Sequence, residues 1–498
     1  MPSLDRAAID PDADRVVRKL TRAGFKAYLV GGCVRDLLVG RKPKDFDVAT
    51  SATPNEVKAT FRNSRIIGRR FRLAHVFFDQ KIIETATFRA NPRDEDERDL
   101  LIRRDNVFGT ESEDAKRRDF TINGLFYDVE REEVIDHVGG LIDLEAKLVR
   151  TIGDPDIRFQ EDPVRMLRAL KFAARLDFGF EPATWNALLR WRNEISKCAP
   201  PRLLEEMHRL LRGGAARRSF ELMVETGVLA VLSPYIAGLL EGQGAPIHHA
   251  PLGDTVPRAT IARIEYEDPE DPADTDPDDP DEPEDAASDE PAELDDDERE
   301  WHRVWADDPP ARAAHAAPVK LSWLAGPELV KRRTLAWDAL TQLDVAVGGS
   351  RDPSNAVAFG ALLAPFVYFY NDAEPRGGAL MNAVNELSQP LITQLHVTRR
   401  DSERLRYLLI AQRRLAGAKK KGVQAELAGG RDLIDDAVLL YTLLERAAGN
   451  DVVLPEPIAK GGNGSSAAVA EDDDDDPNRP RKRRRRRRGG RRHRHEIG

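Results

Sequence analysis

Between Lys26 and Val129 the apolar residues follow the two-residue period of strands, and after Thr151 helical spacing takes over. A chain that changes period once in this way must fold as a mixed head followed by an all-helical remainder. The expected fold class is therefore α+β. Strands are expected at Lys26–Val30, Phe46–Ala49, Leu73–Phe78, Lys81–Thr87 and Gly124–Val129, with a helix over Pro54–Phe61 capped by Thr53. Residues 1–24 read as a lead-in helix with Val16, Val17 and Leu20 on one side, and 25–150 as the head. A helical neck spans 151–242, where Pro200-Pro201 starts the amphipathic RLLEEMHRLLRG helix and a glycine stops it. A helical body spans 319–450, with helical periodicity at 327–345, 355–371, 378–389, 398–416 and 430–448.

The remaining stretches cannot build a core. The net charge of −10 hides a segregation, because Glu265–Glu300 holds 21 acidic residues against one Arg and contributes −20. Residues 243–318, rich in Pro, Asp and Glu, cannot offset the entropy of folding and read as an acidic low-complexity insertion. Residues 451–498 read as a disordered tail, acidic over Glu471–Asp476 and then basic, with 12 Arg/Lys and one Glu in Pro477–Gly498. Within it Arg481, Lys482, Arg483, Arg484, Arg485, Arg486, Arg487 and Arg488 form a run whose natural partner is a polyanion, RNA first among them. A solubility tail, or an intramolecular partner for the acidic runs, is the alternative. The charged stretch Arg93–Asp105 reads as a mobile loop. Cys33 and Cys198 match no metal-ligand spacing and suit a reducing compartment. No signal peptide and no apolar run near the roughly 18 residues of a membrane span is present, so a cytoplasmic chain with no membrane contact is expected.

The chemistry concentrates in YLVGGCVRDLLVGRKPKDFDVAT, residues 28–50. Gly31 and Gly32 end an apolar run and open a short helix-like segment, letting backbone N–H groups approach an anion. Asp45 and Asp47, two apart in a strand, project to one face. Adjacent carboxylates repel, and a bound divalent cation is the usual relief. A phosphate cradle beside metal-binding acids is equipment for nucleotidyl transfer; a surface turn with two solvated acids is the plainer reading. Glu84, in KIIETATFRA, is either a third acid for the same site or an edge-strand glutamate in solvent. In AKRRDFTINGLFYD, residues 115–128, Arg117 and Arg118 offer planar cations for phosphate oxygens. Asp119 is expected to orient one of them or a ligand, and Asn123 both donates and accepts. In EDPVRMLRALKFAARL, residues 161–176, Asp162 precedes a helix whose Leu167, Leu170 and Ala174 form a core stripe. Arg165 and Arg168 share a face with Asp162 near the helix start, a pairing able to hydrogen-bond a base edge. An N-cap with a local ion pair explains the same residues. The histidines, His75 and His137 among them, form no triad or zinc spacing.

These three stretches, in this order, resemble the head and neck of the class II nucleotidyltransferases, the group of bacterial poly(A) polymerases and CCA-adding enzymes. The resemblance covers about residues 25–235 closely and, more loosely, the helices after 327. It implies a polymerase-β-like head, with Asp45 and Asp47 as the metal-binding catalytic pair and Glu84 a tentative third ligand. It implies that Gly31, Gly32 and Arg35 form the phosphate turn, and that Arg118 and Asp119 act in the site with Asn123 nearby. Asp162, Arg165 and Arg168 correspond to the neck residues that read the incoming base. RIIGRRFRLAHVFF (65–78) and NVFGTESEDAKRRDFTIN (106–123) are similar to the poly(A) polymerase branch. The implied reaction is template-independent transfer of AMP from ATP to RNA 3′ ends with two Mg²⁺. CCA addition to tRNA, or an RNA-binding protein with an inert head, are the competing readings. RNA-decay proteins are a class of partner that the resemblance admits and the sequence does not identify. The acidic insertion departs from the family pattern.

Overall fold

The computed structural model describes residues 4–68, 72–79, 81–90, 108–241, 321, 323–367, 378–421, 425–427, 429–450, 452 and 457–459. The Arg93–Asp105 loop, the 243–318 insertion and the Arg481–Arg488 run fall outside the described residues.

The head is a sheet with its helices set around it. In chain order it runs α1 (Pro11–Arg22), β1 (Ala27–Val30), α2 (Gly32–Leu38), β2 (Asp47–Thr50), α3 (Pro54–Thr60), β3 (Ser64–Ile67), β4 (Leu73–Phe78), β5 (Lys81–Thr87), α4 (Glu111–Lys116), β6 (Leu125–Asp128) and β7 (Glu133–Asp136). The strand order is β3-β4-β5-β2-β1-β6-β7, and β2 with β5 is its parallel pair. One face buries Leu29, Val48, Val76 and Ile83 against Val16, Val17 and Leu20 of α1 and Val57 of α3. The other buries Val30, Ala49 and Phe126 with Phe88 and with Ala115 of α4. Local signals agree with this layout: Thr53 and Glu56 close a capping box at the start of α3, and Asp10 caps α1 ahead of Pro11.

Strands β4 and β5 fall where alternation places them. Two corrections concern boundaries. β2 begins at Asp47 rather than Phe46, so Asp45 lies in the segment leading into the strand. β3 and β7 lie outside the expected strands; both sit at sheet edges, where half-exposed residues weaken the apolar alternation.

Beyond the head, α5 (Gly140–Glu145) and a small parallel pair, β8 (Leu148–Val149) with β9 (Gly179–Phe180), join it to the helical part. Strand structure therefore does not stop at Thr151. The helices α6 (Pro155–Glu161), α7 (Val164–Leu176), α8 (Pro182–Trp191), α9 (Pro200–Leu211), α10 (Ala216–Glu225), α11 (Val228–Leu232) and α12 (Pro234–Leu240) follow. Helices at Gly326–Gly348, Asn355–Leu363, Gly378–Gln394, Arg399–Lys421 and Arg431–Ala447 complete the described part. Their buried residues form one contiguous core with α7 and α9, from Phe120 and Leu170 through Leu211 and Leu340 to Leu444. Pro457–Ala459, inside the stretch expected to be a disordered tail, pairs in parallel with Ala425–Leu427.

Candidate active site

A cavity of about 970 Å³ opens between the sheet, α7 and α9. Its walls gather Gly31, Gly32, Arg35, Asp45, Asp47, Arg118, Asp119, Asn123, Asp162, Arg165 and Arg168. Residues spread over more than a hundred positions thus meet in one place, while Glu84 and Arg117, also singled out from sequence, are not on its wall.

The turn after β1 sets the geometry. Gly31 has φ +74°, and a Cβ there would stand 3.1 Å from Arg118 Nη1. A side chain would be strained and would push the arginine, so glycine is required. The Gly31 N–H donates to Leu125 O at 3.0 Å, which ties the turn to β6 rather than leaving that donor for an anion.

The acids cluster on the sheet. Asp47 and Glu84 are register partners on β2 and β5, and Asp45 precedes β2 by two residues. Burial, then the Glu84 carboxylate, push the Asp47 pKa up to about 6; Asp45 adds to the rise and Arg118 opposes it. This is the signature of crowded negative charge, which a hard dication would relieve. Among the described residues no three acids or histidines converge as a ligand set. Glu84, expected as a third ligand, stands half exposed with an oxygen 3.6 Å from His75 Nε2. The pair Asp45 and Asp47 alone fits Mg²⁺, which is commonly bound by one or two carboxylates plus substrate phosphates.

The arginines are oriented by an acid that sequence reading missed. Asp114, buried on α4, accepts from Arg117 Nε at 2.9 Å and from Arg118 Nε and Nη2 at 3.2 and 2.9 Å. Asp119, expected to orient one of these arginines or a ligand, turns to the neck. It accepts from Arg168 Nε at 2.7 Å, Asn123 Nδ2 at 3.1 Å and Phe120 N at 2.9 Å. Burial would raise its pKa, but the Arg168 charge and these donors lower it to about 2.

From Asp119 the network continues across the joint. Asn123 Oδ1 accepts from Arg35 Nη1, and Arg35 also holds Asp36, whose other oxygen takes Arg175 Nη2 at 2.8 Å. Arg35 is buried, so its guanidinium lies behind the glycine turn. On α7, Lys171 donates to Glu206 of α9 at 2.8 Å, and burial together with Arg168 lowers its pKa to about 8. The Phe172 ring lies 5.0, 5.6 and 5.1 Å from the charged ends of Arg35, Arg168 and Lys171. Lys171, Phe172 and Arg175 stand three, four and seven residues after Arg168. Helical spacing in the sequence could have found that face.

The expected base-reading residues are also redistributed. Asp162 links α6 to α7, and its carboxylate takes Arg202 Nη2 of α9 at 2.8 Å and the Val164 N–H at 3.3 Å. Arg165 Nη1 donates to Glu161 Oε2 at 2.7 Å and Arg158 O at 2.8 Å. Asp162 and Arg165 therefore reach the cavity wall through separate supports, not through a pair with each other.

A glycine turn, the Asp47 carboxylate at the start of β2 with Asp45 just before it, Arg118 of the head and Arg165 and Arg168 of the neck thus share one cavity wall. Residues 27–150 match the family model described as the poly A polymerase head domain, and 177–240 the one described as the probable RNA and SrmB-binding site of polymerase A. The chain is 47% identical over 242 residues to poly(A) polymerase I of Salmonella typhi, covering 47% of this chain and 52% of that protein. It is 39% identical over 234 residues to a CCA-adding enzyme of Bacillus velezensis, covering 46% and 58%. The chain thus spans about half the length of the curated relatives it matches. A solved structure of the Bacillus stearothermophilus CCA-adding enzyme with CTP aligns at 22% identity and TM-score 0.41, over 89% of this chain and 99% of that one. Over its head and neck the chain is similar to the poly(A) polymerase and CCA-adding nucleotidyltransferases, as its motifs imply.

Proposed function

We propose that this chain transfers AMP from ATP to the 3′ hydroxyl of RNA without a template. The observation that carries the reading is the single cavity joining the Asp45 and Asp47 carboxylates to Arg118, Arg168 and the Asp162–Arg165 wall. Asp45 and Asp47 would hold Mg²⁺, whose chemistry is to acidify the attacking hydroxyl and neutralise the departing pyrophosphate. Arg118, held in place by Asp114, presents a fixed cation to the triphosphate. Asp162 accepts from the base edge and Arg165 donates to it, each pinned by its own partner. Positioning and charge neutralisation do the work, and no side chain is needed as a nucleophile.

The branch rests on similarity: identity to poly(A) polymerase I proteins is 47% against 39% for a CCA-adding relative over comparable lengths. Among the described residues no helix is long and apolar enough to cross a membrane. Cys33 and Cys198 are both free thiols, which suits the reducing cytoplasm as the place of reaction. Purified protein should extend an unstructured RNA by many residues with ATP alone and use CTP poorly. Asp47→Asn, near-isosteric, should keep the fold and lose transfer by orders of magnitude. Repair of a truncated tRNA with C, C and A, followed by arrest, would instead assign the chain to the CCA branch.

A further inference from the structure

The sheet face that carries Asp47 does not end at the cavity. Pairing places Asp47 beside Glu84, Glu84 beside His75, and His75 beside Arg65, one row across β2, β5, β4 and β3. Side chains in register share a face, so this row runs from the acids to a cation at the sheet edge, about 14 Å away at ordinary strand spacing. Two residues further along the same face, Phe77 and Ile82 are register partners. They are 39% and 47% exposed, large values for an aromatic and an aliphatic side chain on a sheet. The Phe77 ring stands edge-on to His75, with centroids 6.4 Å apart. Over β1, β2 and β6 this face is covered by Phe88, Ala115 and Phe126; over β3 to β5, among the described residues, it leaves Phe77 and Ile82 open.

We propose that the open face of β3, β4 and β5 is a platform for the 3′-terminal nucleotides of single-stranded RNA. Bases stack on Phe77 and Ile82, the backbone runs toward Arg65, and the 3′ hydroxyl is led to Asp47. An exposed ring and an aliphatic side chain alone would suit a protein partner equally well. What favours RNA is the charge order along the row and its continuity with the carboxylates to which a 3′ end must be delivered. Aromatic faces beside a cation are the usual means of holding single strands without sequence preference. The direction of the strand rests on the proposed polymerase reading, but binding itself can be measured without catalysis.

The test is anisotropy of a 5′-fluorescein oligo(A) on the full chain in EDTA, without ATP. Phe77→Ala should weaken binding about 5- to 150-fold, the range for loss of a stacked base. Phe77→Tyr, which keeps the ring, should restore it, and KM for ATP should stay near wild type in all variants. Ile142→Ser, an exposed apolar residue outside this face at 51% exposure, serves as the control and should change nothing. Wild-type affinity in Phe77→Ala overturns the platform even if AMP transfer is intact. Loss of affinity in a chain that never transfers AMP leaves the platform standing and removes the polymerase reading. Should Phe77→Ala alter only self-association, measured by sedimentation, the face belongs to a second copy and the proposal fails.

Discussion

Asp119 of the head and Arg168 of the neck form an ion pair across the joint between the two parts. Asp119→Asn should cost about 2–3 kcal/mol, below the ~3–5 for breaking a fully buried pair, because Arg168 keeps 31% of its side chain exposed. The pH dependence has a definite sign. Asp119 is lowered from 3.8 to about 2, so its contribution is fully present above the ordinary value and is lost as pH falls toward 2. Urea unfolding should therefore show a constant gap between wild type and Asp119→Asn from pH 7 to about 4, narrowing below; a gap unchanged at pH 3 would refute the assignment. The residue's place after two arginines suggests instead that it orients them. That role falls to Asp114, because α4 puts it three and four residues before Arg117 and Arg118, the helical spacing for contact. Phe172 is the second residue whose role emerges only in three dimensions, since its ring meets three cations from two parts of the chain. Replacing it with Leu keeps bulk but removes the ring's attraction for each cation, roughly 0.5–2 kcal/mol apiece. KM for ATP should rise several-fold with kcat less affected, whereas a purely structural role would lower melting temperature and leave KM unchanged.

At the scale of elements, the sequence is legible wherever one face is buried and the other wet. β4 and β5 alternate and can be read to the residue; α3 and α9 announce themselves by Thr53 and by Pro200. What stays hidden has a physical reason in each case. β3 and β7 are edges with little apolar contrast, α4 is too short to show a period, and α6 lies in the charged stretch before Asp162. The cavity itself is legible in its members but not in its contacts, because Asp162–Arg202 and Asp119–Arg168 join elements whose packing no local pattern encodes. The β1–α2 turn is the element on which a test bears most directly. Gly31→Ala places a Cβ in a conformation that costs about 1–3 kcal/mol and 3.1 Å from Arg118 Nη1. Transfer should fall more than stability does, since the displaced group is the cation proposed to face the triphosphate. Equal activity per folded molecule, with only a lowered melting temperature, would confine Gly31 to a structural part.

For the molecule as a whole, the packed core and the charged tail make different demands on the chain. The contiguous core that joins α7 and α9 to the Gly326–Gly348 and Arg431–Ala447 helices fixes the cavity's neck wall, so the site depends on packing well beyond the head. The basic run at 481–488, outside the described residues, is expected to act through its charge. Deleting Pro477–Gly498 removes 12 Arg/Lys and one Glu, a net +11. Each phosphate of a single strand that the tail no longer neutralises should flatten the slope of log affinity against log salt by about 0.7. The truncated chain should therefore bind RNA more weakly at low salt and converge on the full chain as salt rises and screening removes what the tail adds. Turnover at saturating RNA should hold, because Asp45, Asp47 and the arginines facing them lie in the head and neck. An unchanged salt slope would mean that the tail's charge is spent elsewhere, with the acidic run of Glu265–Glu300 the nearest candidate in composition. In that case removing the insertion alone should free the tail's cations, so that RNA affinity rises and the salt slope steepens.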